Sequence, residues 1–207
     1  MPNLDAVVPR PFFIYIIESN RVQEVAQGFS EGKALQEVFR FVGIETRYHT
    51  CVAKNDFAIQ VNRAFKYAQQ INAFPVIHFA AHGNTNGIGL MNGELVTWQE
   101  LGTMLRPLHR FSGSQYLLCF SACEGFHGAL VTVSFPHSPS FGVVGPFKPV
   151  NWSDNVVGFA ALYHLLKKGL SVQDAVKGMR AASGHDSYGF IGGEDVVQAV
   201  KEVTGMK

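Results

Sequence analysis

The sequence predicts an α/β protein of three layers, a mainly parallel central sheet with helices on both faces. Three features of the chain carry that expectation. Apolar runs of strand length alternate with segments of helical period along the whole chain. Two of those runs, Pro75 to Ala81 and Tyr116 to Ala122, show almost no polar alternation, as expected of strands buried on both faces. Both runs stop at reactive side chains, His82-Gly83 and Cys123, and chemistry in parallel sheets collects at the carboxyl ends of strands.

In chain order, residues 1–10 read as a loose lead-in and Pro11 to Glu18 as the first buried strand. From about Asn20 to Gly43 one helix is expected, because Leu35, Val38, Phe39 and Val42 share a face and Gly43 is a fitting stop. Glu45 to Ala53 reads as a second strand. Asn55 or Asp56 would cap the next helix, whose stripe is Phe57, Val61, Ala64, Phe65 and Ala68. The strand Phe74 to Asn84 carries His82. Asn84 to Trp98 then reads as a hairpin turning at Asn92-Gly93.

Thr97 and Glu100 have capping-box spacing and open a helix with Trp98, Leu101, Leu105 and Leu108 inward. The strand Gln115 to Gly125 carries Cys123. Phe126 to Ser140 reads as a loop, turn-rich at FPHSPS, and Phe141 to Val150 as a strand whose two prolines suggest an edge or a short extent. Asn155 to Lys168 is a helix apolar nearly all round, hence expected to be well buried, and Gly169 ends it. Ser171 caps a helix to Ala182. Gly192-Gly193 precedes a last helix with Val196, Val200 and Val203 on one face.

At 207 residues, without a repeat or a composition break, the chain reads as one domain. A net charge of +1 with no basic run speaks against nucleic acid or an anionic membrane as partner. The start, MPNLDAVVPRPFFIYII, lacks the marks of a secretion signal, and no apolar run has the length of a membrane span. Three cysteines, two of them on one strand, fit a reducing compartment, so a cytoplasmic location is expected.

A Cys and a His, each at a strand end, would make a nucleophile and a proton carrier if the two strands are neighbours. The blander reading of a Cys ending an apolar strand is core packing, and Cys119 and Cys51 are read that way. His78 and His82 are four apart, which is metal spacing on a helix but not on a strand. No cluster of metal-ligating residues accompanies them, so no metal and no cofactor are expected, and His78 is read as a satisfied interior histidine.

At His82-Gly83 and Ser121-Ala122-Cys123 the sequence resembles the caspase-like cysteine peptidases, a group that includes caspases, separase, gingipains, legumain and bacterial CHAT domains. The shared pattern is an apolar strand ending in His-Gly and a later one ending in Ala-Cys, here IHFAAHG and LLCFSACEG. The segment VVGPFKPVNWSDNVVGFAALYHLLKKGLSVQDAVKGMRAA is similar to the stretch after the Cys strand in CHAT domains. FFIYIIES and EGKALQEVF are similar to the first strand and helix of the group. The resemblance spans roughly residues 11–182 and is closest to the bacterial branch.

The resemblance implies a caspase-like fold and a cysteine endopeptidase, with Cys123 as nucleophile and His82 as general acid and base. The backbone N–H groups of Gly83 and Cys123 would form the oxyanion hole. A short helix after Cys123 would favour the thiolate. No acid that would orient His82 is evident. Asp154 is a candidate for holding a basic substrate side chain, beside its commoner use as a helix cap, and Glu124 is a second substrate-binding candidate beside its use as a first-turn acid. The segment after the Cys strand departs from the pattern, with Phe147 and Trp152 where relatives often have Trp and Asp. Phe126 to Ser140 is short, so an uncleaved single chain is expected. The resemblance further implies a protein or peptide substrate, a sensor or regulator partner, and a role in bacterial defence or cell death. The alternatives are a binding scaffold on the same fold, or a thiol hydrolase or acyltransferase that is not a peptidase.

Overall fold

The computed structural model describes residues 6–112, 115–134 and 141–204, the side chains of 133 and 199–204 excepted. Six strands form the main sheet: β1 (Phe12–Ser19), β2 (Thr46–Thr50), β3 (Phe74–Asn84), β6 (Leu117–Ser121), β7 (Gly142–Pro146) and β8 (Tyr188–Gly192). They lie in the order β2-β1-β3-β6-β7-β8. All neighbours run parallel except β7 and β8, which are antiparallel. The short strands β4 (Gly87–Gly89) and β5 (Leu95–Thr97) form a hairpin beyond β3.

Side-chain alternation along β1 builds the two cores. Phe13, Tyr15 and Ile17 meet Phe57, Val61 and Ala64 of α3 (Lys54–Ile71) and Leu101, Leu105 and Leu108 of α4 (Trp98–Ser112). Ile14 and Ile16 face the other way. They join Leu35 and Phe39 of α2 (Glu31–Val42), Phe159 and Leu162 of α5 (Trp152–Lys168) and Val176 and Met179 of α6 (Val172–Ser183). The sheet is thus mostly parallel with helices on both faces, as the apolar runs predict.

Several elements differ from the sequence reading. The single helix expected over Asn20 to Gly43 is two, α1 (Val22–Ala26) and α2. Gly28 at φ 79° breaks it, and Ser30 restarts it by accepting a hydrogen bond from Lys33 N–H at 3.1 Å. Neither Asn55 nor Asp56 is the N-cap of α3, which is Ala53; Asp56 instead reaches back from the first turn to the Val52 and Ala53 N–H groups at 3.3 Å each. Residues 6–10 are not loose, since Ala6 and Val8 are buried and Val7 bridges to Ser171.

The stretch expected to be a loop after Cys123 is a 3₁₀ helix over Gly125–Ser134; the turn-rich FPHSPS lies outside the described residues. β7 is not an edge strand, because the unexpected β8 pairs along it; of the two readings of its prolines the short extent holds, since the strand is Gly142–Pro146 with Pro146 at its end. α5 begins three residues early, at Trp152, and is buried on one face only, with Val157 47% exposed. The last helix, α7, spans Gly193–Thr204.

Candidate active site

The site is built at the carboxyl ends of β1, β3 and β6. Register pairs Ser19 of β1 with Ala81 of β3, and Ala80 of β3 with Ser121 of β6. β6 ends at Ser121, two residues before Cys123, and β3 runs on past that pairing to His82 and Gly83. The two chains approach closely there. A Cβ added to Gly83 would lie 2.9 Å from the Ala122 Cβ and 3.0 Å from the Cys123 carbonyl oxygen. Glycine at 83 therefore lets the two strand ends meet.

β3 runs past the main sheet to pair with β4, His82 opposite Gly89 and Gly83 opposite Ile88. The hairpin turns at Asn92-Gly93 as expected, but with only Gly93 of the two at positive φ, 87°, and its N–H donating to Leu90 O at 2.9 Å. The hairpin is fastened to β1, since Met91 N–H donates to Ser19 Oγ at 3.0 Å and Ser19 Oγ donates to Cys51 O at 2.8 Å. The Thr97–Glu100 capping box forms as expected, with Thr97 N–H to Glu100 Oε2 at 2.8 Å and Glu100 N–H to Thr97 Oγ1 at 3.2 Å. His82 is thus paired with a hairpin that is itself tied to β1.

Cys123 is half-buried, whereas Cys51 and Cys119 are buried. It sits in a turn closed by Gly125 N–H donating to Ala122 O at 2.9 Å. The next residue, Glu124, has φ 56°, a left-handed conformation that costs a non-glycine residue about 1 kcal/mol or more. With the positive φ at its third position, this turn has the type II pattern. It swings the chain from β6 into the 3₁₀ helix directly after Cys123. Burial pushes the thiols of the other two cysteines up, Cys51 to about 11 and Cys119 to about 12.

His82 has an acidic partner that sequence reasoning did not find. Its Nε2 lies 2.7 Å from Oε1 of Glu24, and their side chains are 29% and 20% exposed. The other Glu24 oxygen accepts from Arg21 N–H at 2.8 Å. A carboxylate only accepts, so the contact places a proton on Nε2 and leaves Nδ1 for proton transfer. Trp152 stands edge-on to the imidazole, ring centroids 5.6 Å apart and planes at 88°. The signal for Glu24 was its place just after β1, whose end borders that of β3; reading one continuous helix there hid it.

The segment carrying Glu24 is anchored by buried Glu18 at the end of β1. Glu18 Oε2 accepts from Ser30 Oγ at 2.6 Å and Tyr48 Oη at 2.7 Å, and Oε1 accepts from Gly32 N–H at 2.9 Å. Beneath it, His78 is an interior histidine as expected. Its Nδ1 is 2.8 Å from Tyr163 Oη and its Nε2 is 3.3 Å from Glu31 Oε1. Burial pushes the Glu31 carboxyl up; His78 and Ser121 beside it pull the other way, and Glu18 adds to the rise.

The structure therefore brings Gly83, the residue after His82, against Ala122 and the Cys123 backbone, with Glu124 in the adjoining turn. Asp154 lies in the first turn of α5, where it accepts a long hydrogen bond from Ser153 Oγ at 3.5 Å. The N-cap of α5 is Asn151, so Asp154 does not occupy the capping position. Trp152, Ser153 and Val156 line a cavity beside the site, and Asp154 is not among the lining residues. No helix among the described residues is long and apolar enough to cross a membrane. Neither a family model nor a curated protein sequence matches this chain.

Proposed function

We propose that the chain is a cysteine endopeptidase of caspase-like fold, with Cys123 as nucleophile and His82 as proton carrier. The observation that carries this reading is the parallel pairing of β3 with β6, which sets a His-Gly and an Ala-Cys strand end side by side. The mainly parallel sheet with helices on both faces supports the fold reading.

In this mechanism His82 Nδ1 takes the proton from Cys123 Sγ, and the thiolate attacks a peptide carbonyl carbon. The Gly83 and Cys123 N–H groups receive the oxyanion. The tetrahedral adduct collapses to a thioester, the C–N bond breaks, and Nδ1 gives its proton to the leaving amine. Water then adds to the thioester, passing a proton to Nδ1. Release of the carboxylic acid returns that proton to Sγ. Glu24 stabilises the imidazolium formed in both halves and fixes its orientation. A reducing cytoplasm suits a thiol enzyme of this kind, and a sensor or regulator protein would be its partner.

Peptide cleavage in reducing buffer tests the reading, with wild type and Cys123→Ala run side by side. Cleavage by wild type alone is the expected result. Equal cleavage by both would remove Cys123 from the mechanism, and silence from both would remove the peptidase reading for the isolated chain.

A further inference from the structure

The segment that carries Glu24 has no apolar anchor. Helix α1 buries none of its residues, and Val22, Val25 and Phe29 are each more than half exposed. Among residues 21–29 only Glu24 is sheltered, where it meets His82. Burial of an apolar face, the usual source of helical stability in a protein, does not hold this segment. Its position rests on polar ties at its two ends.

Both ends are fastened under the strand ends. Asn20 is buried, and its amide NH₂ donates to Phe29 O at 3.1 Å, which closes the segment into a loop. At the far end Ser30 Oγ accepts from Lys33 N–H at 3.1 Å and donates to Glu18 Oε2 at 2.6 Å. Tyr48 Oη donates to the same oxygen at 2.7 Å, and Gly32 N–H to the other at 2.9 Å. The fit there is close, since a Cβ added to Gly32 would lie 2.5 Å from Tyr48 Cε2. From this fixed point the path to Glu24 is short. Phe29 N–H, beside Ser30, donates to Glu24 O at 3.0 Å.

Glu18 is 1% exposed. Burying a carboxyl group costs several kcal/mol unless its oxygens are well satisfied, and an apolar side chain ending β1 would carry no such cost. What the carboxyl adds is direction, because donors from β2 and from the start of α2 converge on it. We propose that Glu18 is a positioning residue of the reaction centre. Through Ser30 it sets the loop that holds Glu24 on His82 Nε2. With Ser30 untied, Glu24 would move with an exposed loop, and His82 would lose the contact that places its proton on Nε2 and leaves Nδ1 for transfer. The proposal rests on the peptidase reading for its kinetic test, whereas the contact itself is read without turnover.

The test uses the full chain. Ser30→Ala removes the tie to Glu18, and Ser30→Thr restores a hydroxyl. Glu18→Gln loosens the same tie from the strand side. Ser171→Ala removes the corresponding N-cap of α6, a comparable structural loss that leaves the loop alone. In proton NMR the His82 Nε2–H held by Glu24 should give a slowly exchanging low-field signal, assigned by its absence in His82→Gln. It should persist in Ser30→Thr and Ser171→Ala, and broaden or vanish in Ser30→Ala and Glu18→Gln. In peptide cleavage Ser30→Ala should lower kcat about tenfold with KM little changed. Added to Glu24→Gln, it should lower kcat no further, because both act through one contact.

A signal that is missing from wild type, or that survives in both Ser30→Ala and Glu18→Gln, overturns the proposal. So does a full further fall of kcat in the double variant, which would mean that Ser30 acts on something other than Glu24. If no peptide is cut, the peptidase reading falls, and the NMR signal alone decides whether Glu18 positions His82.

Discussion

Glu24 Oε1 meets His82 Nε2 at 2.7 Å across 58 residues of sequence. This contact turns a two-residue constellation into one with an orienting carboxylate. Glu24→Gln keeps an acceptor near Nε2 but removes the charge that stabilises an imidazolium. We expect kcat for peptide cleavage to fall by roughly 100-fold, the size of effect that misplacement of a reacting group produces. Glu24→Asp, with the charge on a shorter stem, should recover part of it. Steady-state kinetics of the two variants check this, and a kcat unchanged in Glu24→Gln would return Glu24 to a surface role.

Thiol reactivity should separate the three cysteines. Burial holds Cys51 and Cys119 as thiols, pushed up to about 11 and about 12, and both are shielded from solvent. Native protein treated briefly with iodoacetamide at about pH 7.5 should be labelled at Cys123, and denatured protein at all three cysteines. Peptide mapping reads the outcome. Labelling of Cys119 ahead of Cys123 would contradict the geometry.

Gly83→Ala tests the close approach of the strand ends. The new Cβ would stand 2.9 Å from the Ala122 Cβ and 3.0 Å from the Cys123 carbonyl oxygen, so backbone must shift. A stability loss of about 1–3 kcal/mol is expected, the usual cost of overpacking, together with loss of peptide cleavage. Urea denaturation measures the first and the peptide assay the second. Unchanged stability would mean the strand ends stand further apart.

Glu31 should make stability fall as pH rises. Its carboxyl is held above the ordinary Glu value of about 4.3, so over a window opening there the folded chain keeps a proton that the unfolded chain has released. More protons on the folded state means stability decreases with pH until the folded group has also ionised. Glu31→Gln removes that contribution. The stability of Glu31→Gln relative to wild type should therefore climb as pH rises above about 4.3. Denaturant melts across that range measure it, and a constant difference would exclude Glu31 as the source.

The features legible in the amino-acid order alone lie within short windows. The apolar run of β3 ends at His82, and that of β6 stops just before Cys123, because a strand buried on both faces needs continuous hydrophobicity. The Thr97–Glu100 box, the Ser171 cap and the left-handed glycines at 43 and 169 were legible because capping chemistry is local. So was the hairpin turn at Asn92-Gly93.

The remaining features exist only through contacts made on folding. β8, with the sequence YGFIG, is a strand because β7 offers it an edge; its two glycines give little strand signal of their own. The break at Gly28 arises from fastening Glu18 to Ser30 and Gly32, which turns the chain back over the end of β1. Glu24 reaches His82, and Trp152 closes on the same ring, only because sheet order brings the ends of β1 and β3 together near the start of α5. Strand order and register come from many weak contacts between distant segments acting together, and a local pattern encodes each segment's shape but not its neighbour.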